Sequence, residues 1–441
     1  MFFVNISIGT NDSFLLNETA FRLKGELPFF DYINFDSSDL DSDPVLLHEA
    51  MRIVAESDFV TIKVHGDPSF MKKFDRLEEA IRSNGISALL CCTDEGVTTD
   101  YRWMFGGTDE EFDLALTYFS LGGDENYRSL MLWAIRRCEG ADVEIPAPVV
   151  PSAQGVYYPG MEDISFETFL DGLDRSKPVV GIFFYQKQWL TRNLDNIDGL
   201  IRAVEARGGS PVPVFLRTYE DPASGSIGIK RILREKLSDG SGPVLDVIIE
   251  TMSFSQTLVA TPGCGEQVCD DNFFASYGVP VIQAMTAASD AATLRDDVYG
   301  LTPAEIAYDV THPEFDGQII SVPSASTERL DDTRVYKSLP DRADRIADTA
   351  VLWGRLRRKT NPERKVAVLL YMYPPKTANA GGASGLDTFA SVVDLLHRMR
   401  DEGYHLGDRI PDNPRELVDE LLSGLTNDTT WLSDDIVLQV P

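Results

Sequence analysis

The sequence predicts a multidomain α/β protein with doubly wound, flavodoxin-like parallel sheets and long connecting helices. Short apolar runs alternate with amphipathic stretches of helical period along most of the chain. The apolar runs are continuous, as in strands covered on both faces, and glycines end several of the helical stretches. With 441 residues the chain is long enough for about two to three domains.

The first part of the sequence predicts an N-terminal α/β domain over residues 1–150. A helix over 71–85 has Phe74, Leu77 and Ile81 on one face, and Gly85 is its expected C-cap. The segment 144–155 contains three prolines and has no period, so it marks a domain boundary. The other predicted elements of this domain are strands at 58–66 and 85–92 and helices at 110–121 and 126–138.

The second predicted domain covers residues 151–335 and contains a five-stranded parallel sheet. Alternating strands and helices require crossover connections, which favour parallel pairing. The predicted strands are 177–185, 211–217, 242–250, 279–285 and 317–323, and the predicted helices are 193–209, 229–237, 270–278 and 302–310.

Residues 336–441 predict a linking helix and the start of a third α/β domain. The helix covers 341–359 and ends in a basic cluster that suits the helix dipole. An apolar strand at 365–373 then leads into a glycine-rich loop, and Asp387 is the expected N-cap of the next helix. Because the sequence ends at DDIVLQVP soon after this domain begins, we expect the domain to be truncated.

The charge and apolar patterning exclude several classes of partner. The net charge is −30, with 70 acidic and 40 basic residues, so phosphate-rich nucleic acids and anionic membrane surfaces are repelled. No apolar run approaches the roughly 20 residues that span a bilayer, and the N-terminus lacks signal-peptide features, which together predict a cytoplasmic protein. Cys264 and Cys269 have a spacing that some zinc sites use, but free thiols are the favoured interpretation.

Candidate site residues follow from the rule that ligands bind outside the carboxyl ends of parallel strands. His65 and Glu250 stand at such ends, although His65 could be a turn histidine and Glu250 a solvated carboxylate. His312 and His405 precede predicted strands, which places them at the unfavourable end. The glycine-rich loop after residue 370 contributes the remaining candidates: Tyr371, Tyr373, Asn379, Gly381, Gly385 and Asp387. Without a G-x-x-x-x-G-K-[ST] motif, we expect no ATP binding by this chain itself.

The stretch LRRKTNPERKVAVLLYMYPPKTANAGGASGLDTFASVVDLLHRMRDEGY resembles the large-subunit family of metal chelatases. This family comprises the cobaltochelatase large subunit of the CobN type and the H-type large subunit of magnesium chelatase. The matching residues include the run Tyr373-Pro374-Pro375 and the run from Gly385 to Thr388, whereas Gly382 and Phe389 depart from the pattern. The stretches KPVVGIFFYQKQWLTRNLDNIDGLIRAVEARG, YGVPVIQAM and HPEFDGQIISVP resemble the same family.

The resemblance implies a tetrapyrrole-binding subunit, or its N-terminal part, of an ATP-dependent chelatase. It favours cobalt insertion into hydrogenobyrinic acid a,c-diamide during cobalamin biosynthesis, with AAA+ ATPase partner subunits that bind the ATP. The alternatives are a magnesium chelatase H-type subunit and a non-catalytic tetrapyrrole-binding module, and a weaker one is a flavodoxin-like domain pair that binds a small anion. The family's His-Gly-Thr-x-x-x-Glu motif does not occur in these 441 residues. The catalytic residues and metal ligands therefore stay unassigned, and we expect no metal insertion by this chain alone.

Overall fold

The computed structural model describes residues 1–10, 12–161, 164–222, 224–260, 267–269, 272–330 and 333–424, without the side chains of 258–260 and 267–269. The chain divides into two units, Met1–Gly354 and Arg355–Pro441. Within the described ranges, no helix combines the length and apolar character needed to cross a membrane.

The first unit opens with a four-stranded parallel sheet in the order β2-β1-β3-β4. Strands β1 and β2 and helices α1 and α2 were not predicted, while both predicted strands and all three predicted helices of this region are confirmed. The elements are β1 Phe2–Ile8, α1 Ser13–Glu26, β2 Asp31–Asp36, α2 Ser37–Ser42, α3 Pro44–Glu56, β3 Phe59–Val64, α4 Phe74–Asn84, β4 Ala88–Cys92, α5 Glu95–Asp100, α6 Asp109–Leu121 and α7 Asp124–Glu139.

Helices cover both faces of this sheet because side chains along β1 alternate between two cores. Phe3 packs with residues of α1, α6 and α7 on one face. Val4 and Ile6 pack with residues of α3 and α4 on the other. Gly85 ends α4 in the left-handed region at φ 65°, as a C-cap glycine does. The arrangement is the doubly wound one that the continuous apolar runs predicted.

A six-stranded sheet follows in the order β16-β15-β12-β6-β7-β5. Every pair in it is parallel except the short edge pair β5–β7, which confirms the predicted parallel pairing. Its strands and the helices among them are β5 Gly155–Val156, α8 Phe166–Asp171, β6 Val179–Tyr185, α9 Gln186–Leu190, α10 Asp195–Ala206, β7 Ser210–Leu216, α11 Gly228–Arg231, β12 Val247–Glu250, α12 Phe273–Tyr277, β15 Val281–Gln283, α13 Ala291–Asp296, α14 Pro303–Glu305, α15 His312–Phe315 and β16 Ile319–Ile320.

Several predicted elements of this sheet are shorter or less regular than expected. The predicted helices at 229–237 and 302–310 contain π-helical turns at Ile232–Lys236 and Ile306–Thr311. The strand predicted at 242–250 begins only at Val247, because Gly242–Pro243 pairs in a small hairpin instead. Short antiparallel pairs complete the region: β8 Glu220–Asp221 with β9 Ser226–Ile227, β10 Ser238–Asp239 with β11 Gly242–Pro243, β13 Leu258–Ala260 with β14 Gln267–Cys269, and β17 Ala325–Leu330 with β18 Thr333–Ser338.

The strand predicted at 317–323 contracts to Ile319–Ile320, after which the chain turns into the hairpin β17–β18. This hairpin reaches the first sheet's α2, where Arg329 pairs with Asp39 at 2.6 Å. Arg334 lies 4.0 Å from Asp36 and donates to Ser38 Oγ at 2.8 Å. The predicted linking helix is confirmed as α16, Pro340–Arg358.

The second unit contains the end of α16, α17 Thr388–Asp401 and α18 Pro414–Leu422. Asp387 is the N-cap of α17 and accepts a hydrogen bond from the Ala390 amide at 3.0 Å, as expected. The strand predicted at 365–373 is wrong, since the described part of this unit contains no strand. A run of apolar residues needs a neighbouring strand to form a ladder, and the described residues of this unit supply none.

One buried carboxylate joins the two sheets. Asp12, between β1 and α1, is fully buried and accepts hydrogen bonds from Lys187 Nζ at 2.5 Å and from the Tyr127 hydroxyl. Lys187 lies in α9, directly after β6, and its side chain is 45% exposed. Burial alone would raise the pKa of Asp12, but the positive charges of Lys187 and Lys63 outweigh it and hold the pKa below the ordinary value of 3.8.

We expect Asp12→Asn to lower the free energy of unfolding by about 2 kcal/mol at pH 7, because a hydrogen bond to a charged group is lost. The matched control is Lys24→Met, which breaks an exposed pair with Asp31 and should cost less than about 1 kcal/mol. Urea unfolding followed by circular dichroism measures both. The wild-type advantage over Asp12→Asn is present above the unfolded pKa and disappears as the pH falls through the lower folded pKa. Equal costs for the two variants would contradict the proposed role of Asp12.

Candidate functional site

Both sheets have a switch point, where the strand order reverses and a crevice opens at the carboxyl ends. In the first sheet it lies between β1 and β3, and His65 follows β3 there, exposed, with its amide donating to the Ile8 carbonyl at 2.9 Å. In the second sheet it lies between β6 and β12, and Glu250 is the last residue of β12. The sequence predicted both residues at strand ends, and the structure shows that these ends lie at the switch points of different sheets.

Glu250 is not the solvated carboxylate of the alternative interpretation, because it is 0% exposed. Its Oε1 accepts a hydrogen bond from the Met252 amide at 3.0 Å, while its Oε2 has no partner among the described residues. Burial raises the pKa of Glu250 well above its ordinary value, and the negative charge of Asp316 raises it further against the effect of the Met252 amide. The structure thus favours a neutral carboxylic acid at this position.

Gln283 gives the neutral acid a partner on the neighbouring strand. It pairs in register with Glu250 across β12 and β15, so both side chains leave the same face of the sheet. Gln283 is fully buried, and its Nε2 donates to the Met252 carbonyl at 3.0 Å. Its Oε1 also lacks a partner within the described ranges. If Glu250 carries a proton on Oε2, this group becomes a hydrogen-bond donor and Gln283 Oε1 remains an acceptor. The two side chains are then no longer two unpaired acceptors on neighbouring strands.

The loop after Glu250 is held by a buried aspartate that lies just before β16. Asp316 Oδ2 accepts from the Gln256 amide at 2.6 Å, and its Oδ1 accepts from the hydroxyl groups of Ser255 and Thr257. From the other side, the Tyr185 hydroxyl donates to the Ser253 carbonyl at 2.9 Å. These contacts fix the backbone of 253–257 at the second switch point.

Phe254 stands out within this loop. It is a non-glycine residue with φ 67°, a conformation that costs roughly 1–3 kcal/mol and often occurs at functional sites. Its ring is 53% exposed and lies 5.3 Å from the Tyr308 ring and 5.9 Å from the His312 ring, measured between centroids. His312 therefore lies beside the loop that leaves the carboxyl end of β12, so its expected location at the unfavourable end was wrong. We call Phe254, Tyr308, His312 and Phe315 the aromatic rim.

Asp309, next to Tyr308, adds a second perturbed carboxyl group near the rim. The residue is 3% exposed, and burial raises its pKa to about 6, partly offset by a hydrogen bond with the Ser253 side chain. At pH 7 this carboxylate is mostly ionised, whereas burial raises the pKa of Glu250 and favours its protonated form. The pKa values of two carboxyl groups near this sheet edge are thus raised, which is a common feature of acid–base sites.

The remaining sequence candidates lie in the glycine-rich loop of the second unit. The Gly381 amide donates to the Tyr371 carbonyl at 2.8 Å, and Asn379 Nδ2 donates to the Pro374 carbonyl at 2.9 Å, which closes the loop on itself. Gly381 has φ 69°, and a Cβ there would meet the Phe389 ring at 2.9 Å. Gly385 also has positive φ, and the rings of Tyr371 and Tyr373 are exposed.

Asp12, Gln283 and Asp316 were not among the sequence candidates, whereas the strand-end rule reaches Phe254 through the run TMSFSQ that follows Glu250. Asp12 and Gln283 had a usable signal, because each stands at the carboxyl end of an apolar run. Asp316 had none, since a contact over 60 residues leaves no local pattern. The described residues contain no group of three or more His, Cys, Asp or Glu side chains suited to a metal. The Cys264–Cys269 hypothesis lies outside the described side chains, and Cys91, Cys92 and Cys138 are free thiols.

Two flavodoxin-like sheets, with polar groups and exposed rings at their carboxyl edges, define an α/β protein of the ligand-binding class. The CobN/Magnesium Chelatase family model matches residues 116–440, so the chain belongs to this family. The resemblance seen in the sequence is thereby confirmed.

A solved structure, the catalytic subunit of cobaltochelatase from Mycobacterium tuberculosis, shares the fold with a TM-score of 0.67 and 22% identity, covering 96% of this chain and 33% of that one.

Curated relatives come from both branches of the family. The uncharacterized protein MJ0908 of Methanocaldococcus jannaschii is 29% identical over 75% of this chain and 27% of its own length. The aerobic cobaltochelatase protein CobN of a Sinorhizobium species is 29% identical over 70% of this chain and 24% of its own. The H-type magnesium-chelatase protein of Rhodobacter capsulatus is 24% identical over 74% and 28% respectively. The shared segment is thus about a quarter of these relatives' length.

We expect Glu250→Gln to stabilise the fold increasingly as the pH rises above 4.5, the ordinary pKa of glutamate. Because the pKa of Glu250 is higher in the folded protein than in the unfolded chain, the unfolded chain loses this proton at lower pH, and wild-type stability falls as the pH rises. The glutamine of the variant can donate a hydrogen bond to Gln283 at any pH. Asp309→Asn is the comparison, and the free energy of unfolding that this variant gains over the wild type should grow by about 2 kcal/mol between pH 4 and 6 and then level off. Urea unfolding across pH 4–8 measures both, and a pH-independent loss for Glu250→Gln would contradict a neutral Glu250.

Proposed function

We propose that this chain is the tetrapyrrole-binding part of a chelatase large subunit. The observation that carries the proposal is the aromatic rim beside Glu250, on a chain of the CobN/Magnesium Chelatase family. A macrocycle is flat and apolar with polar substituents at its edge. Exposed rings suit its face, as in other binding sites for large flat ligands.

The metal we propose is cobalt, inserted into hydrogenobyrinic acid a,c-diamide. The support is that the two curated CobN relatives are 28–29% identical to this chain, against 24% for the H-type proteins of magnesium chelatase. Metal insertion removes two pyrrole N–H protons, so a proton acceptor must lie near the macrocycle. We place that acceptor and the metal ligands on the His-Gly-Thr-x-x-x-Glu motif that the family resemblance implies. For this chain we propose binding and orientation of the macrocycle in a cytoplasmic complex with AAA+ ATPase subunits.

Titration with hydrogenobyrinic acid a,c-diamide, followed by absorbance, tests the rim directly. We expect saturable binding by the wild type and a loss of about fivefold to tenfold in affinity for Phe254→Ala, the effect of one aromatic contact. Phe21→Ala removes an 80% exposed ring on α1 and is the matched control, with unchanged affinity expected. Protoporphyrin binding instead would favour the magnesium branch, and no binding of either macrocycle would reject the proposed function.

The same titration tests the glycine-rich loop of the second unit. We expect Gly385→Ala to weaken binding, because φ 74° strains any residue with a Cβ although no atom lies within 4 Å of it. Gly403→Ala has the same strain and the same free space in the turn after α17, so it is the control. Equal affinities of the two variants would show that the glycine-rich loop does not contribute to binding.

We also propose that ATP is bound by partner subunits and not by this chain. The net charge of −30 and the lack of a phosphate-loop motif in the sequence support this. Isothermal calorimetry with Mg·ATP should show no binding up to millimolar concentration. Micromolar affinity without partner subunits would contradict the proposal.

A further inference from the structure

His312 is a nitrogen donor that lies among exposed aromatic rings. Its ring centroid is 5.9 Å from that of Phe254 and 6.4 Å from that of Phe315. Both phenyl rings are exposed, and the imidazole is partly exposed between them. Within the part of the chain that the structure describes, no hydrogen bond or ion pair engages the imidazole nitrogens. The aromatic rim therefore presents one group that can bind a metal.

The backbone holds this imidazole beside the Phe254 ring. His312 begins α15, directly after the π-helical turn Ile306–Thr311. The Phe254 amide donates to the Tyr308 carbonyl at 2.7 Å, which ties the loop after β12 to that turn. Single π-helical turns are frequent at functional sites, because they re-aim the side chains that follow. The imidazole and the phenyl ring thus belong to two segments that one hydrogen bond keeps together.

A flat macrocycle that stacks on the rim would also cover His312. A tetrapyrrole is several times wider than a phenyl ring, so a macrocycle lying on Phe254 reaches over a ring centroid 5.9 Å away. A metal in the macrocycle is held in its plane and takes further ligands from above and below. Neutral imidazole is a common ligand of transition metals, whereas magnesium prefers oxygen ligands. Stacking alone treats metal-free and metallated macrocycles alike, but an imidazole distinguishes them.

We propose that His312 is the axial ligand of the cobalt in the metallated macrocycle. The inference rests on the proposed function, because it requires that the rim binds a tetrapyrrole. It concerns the metal after insertion, so the placement of the proton acceptor for the pyrrole N–H groups is unchanged. The imidazole nitrogen donates a lone pair to cobalt, and no bond breaks and no proton moves in this step. The chain then holds the cobalt complex more tightly than the metal-free macrocycle.

Electron paramagnetic resonance tests the ligation directly. The probe is the cobalt(II) complex of hydrogenobyrinic acid a,c-diamide, mixed with the 441-residue chain. One axial nitrogen splits each cobalt line of a low-spin complex into a triplet. We expect this triplet with the wild type, its loss in His312→Gln, and its return when imidazole is added to His312→Ala. His48→Ala removes an exposed histidine of α3 and is the matched control, with the triplet retained.

Absorbance titrations give a second readout, the ratio of two affinities. We expect the wild type to bind the cobalt complex at least about tenfold more tightly than metal-free hydrogenobyrinic acid a,c-diamide, and His312→Gln to bring this ratio close to one. A loss of ring packing at the rim would weaken both macrocycles by the same factor and leave the ratio unchanged. The ratio therefore separates ligation from a structural role of His312.

Three results would overturn the inference while the metal-free macrocycle still binds. They are the absence of nitrogen splitting in the wild-type complex, splitting that persists in His312→Gln, and an affinity ratio that His312→Gln does not change. Each of these results leaves the proposed function intact, because binding of the metal-free macrocycle does not need the imidazole. If the wild type binds neither macrocycle, the proposed function is rejected, and the axial ligand is rejected with it.

Discussion

The arrangement of the first unit depends on the buried carboxylate of Asp12. It lies just beyond β1 and pairs with Lys187 just beyond β6, so it ties together the carboxyl ends of one central strand from each sheet. Those ends adjoin the two switch points, and His65 and Glu250 stand on the neighbouring strands. A charge buried without a partner is costly, so the pair favours one relative placement of the sheets. The two crevices are thereby joined through a buried contact, in addition to the hairpin contact with α2.

The second switch point shows how a polar loop is ordered in an apolar sheet edge. Asp316 accepts several hydrogen bonds from the segment 255–257, so its charge is balanced by donors. Glu250 accepts one amide hydrogen bond, and burial, together with the negative charge of Asp316, raises its pKa well above the ordinary value. The ordered loop in turn keeps Phe254 in a left-handed conformation with its ring toward solvent. The aromatic rim is therefore a product of buried hydrogen bonding, and surface hydrophobicity alone does not explain it.

Much of this fold could be predicted from local pattern. Continuous apolar runs indicated the parallel strands, and strand ends indicated His65 and Glu250, because both depend on residues close in sequence. The contact between Asp12 and Lys187 spans 175 residues and leaves no local signal. For the run 365–373 the local pattern predicted a strand that the structure does not contain. Its pattern describes a strand well, but a pattern cannot reveal whether the neighbouring strands are present, and the described chain leaves Leu369 93% exposed.

The two kinds of contact between the sheets differ in their response to salt. The hairpin β17–β18 reaches α2 through partly exposed groups, with Arg329 57% and Asp39 20% exposed, and added salt weakens the attraction between exposed charges. Asp12 is fully buried, and its pairing is screened much less. Rising ionic strength would thus loosen the hairpin contact while the Asp12 contact persists. The Asp12–Lys187 pair would then be the more persistent of the two polar contacts between the sheets, so salt titration separates their contributions to stability.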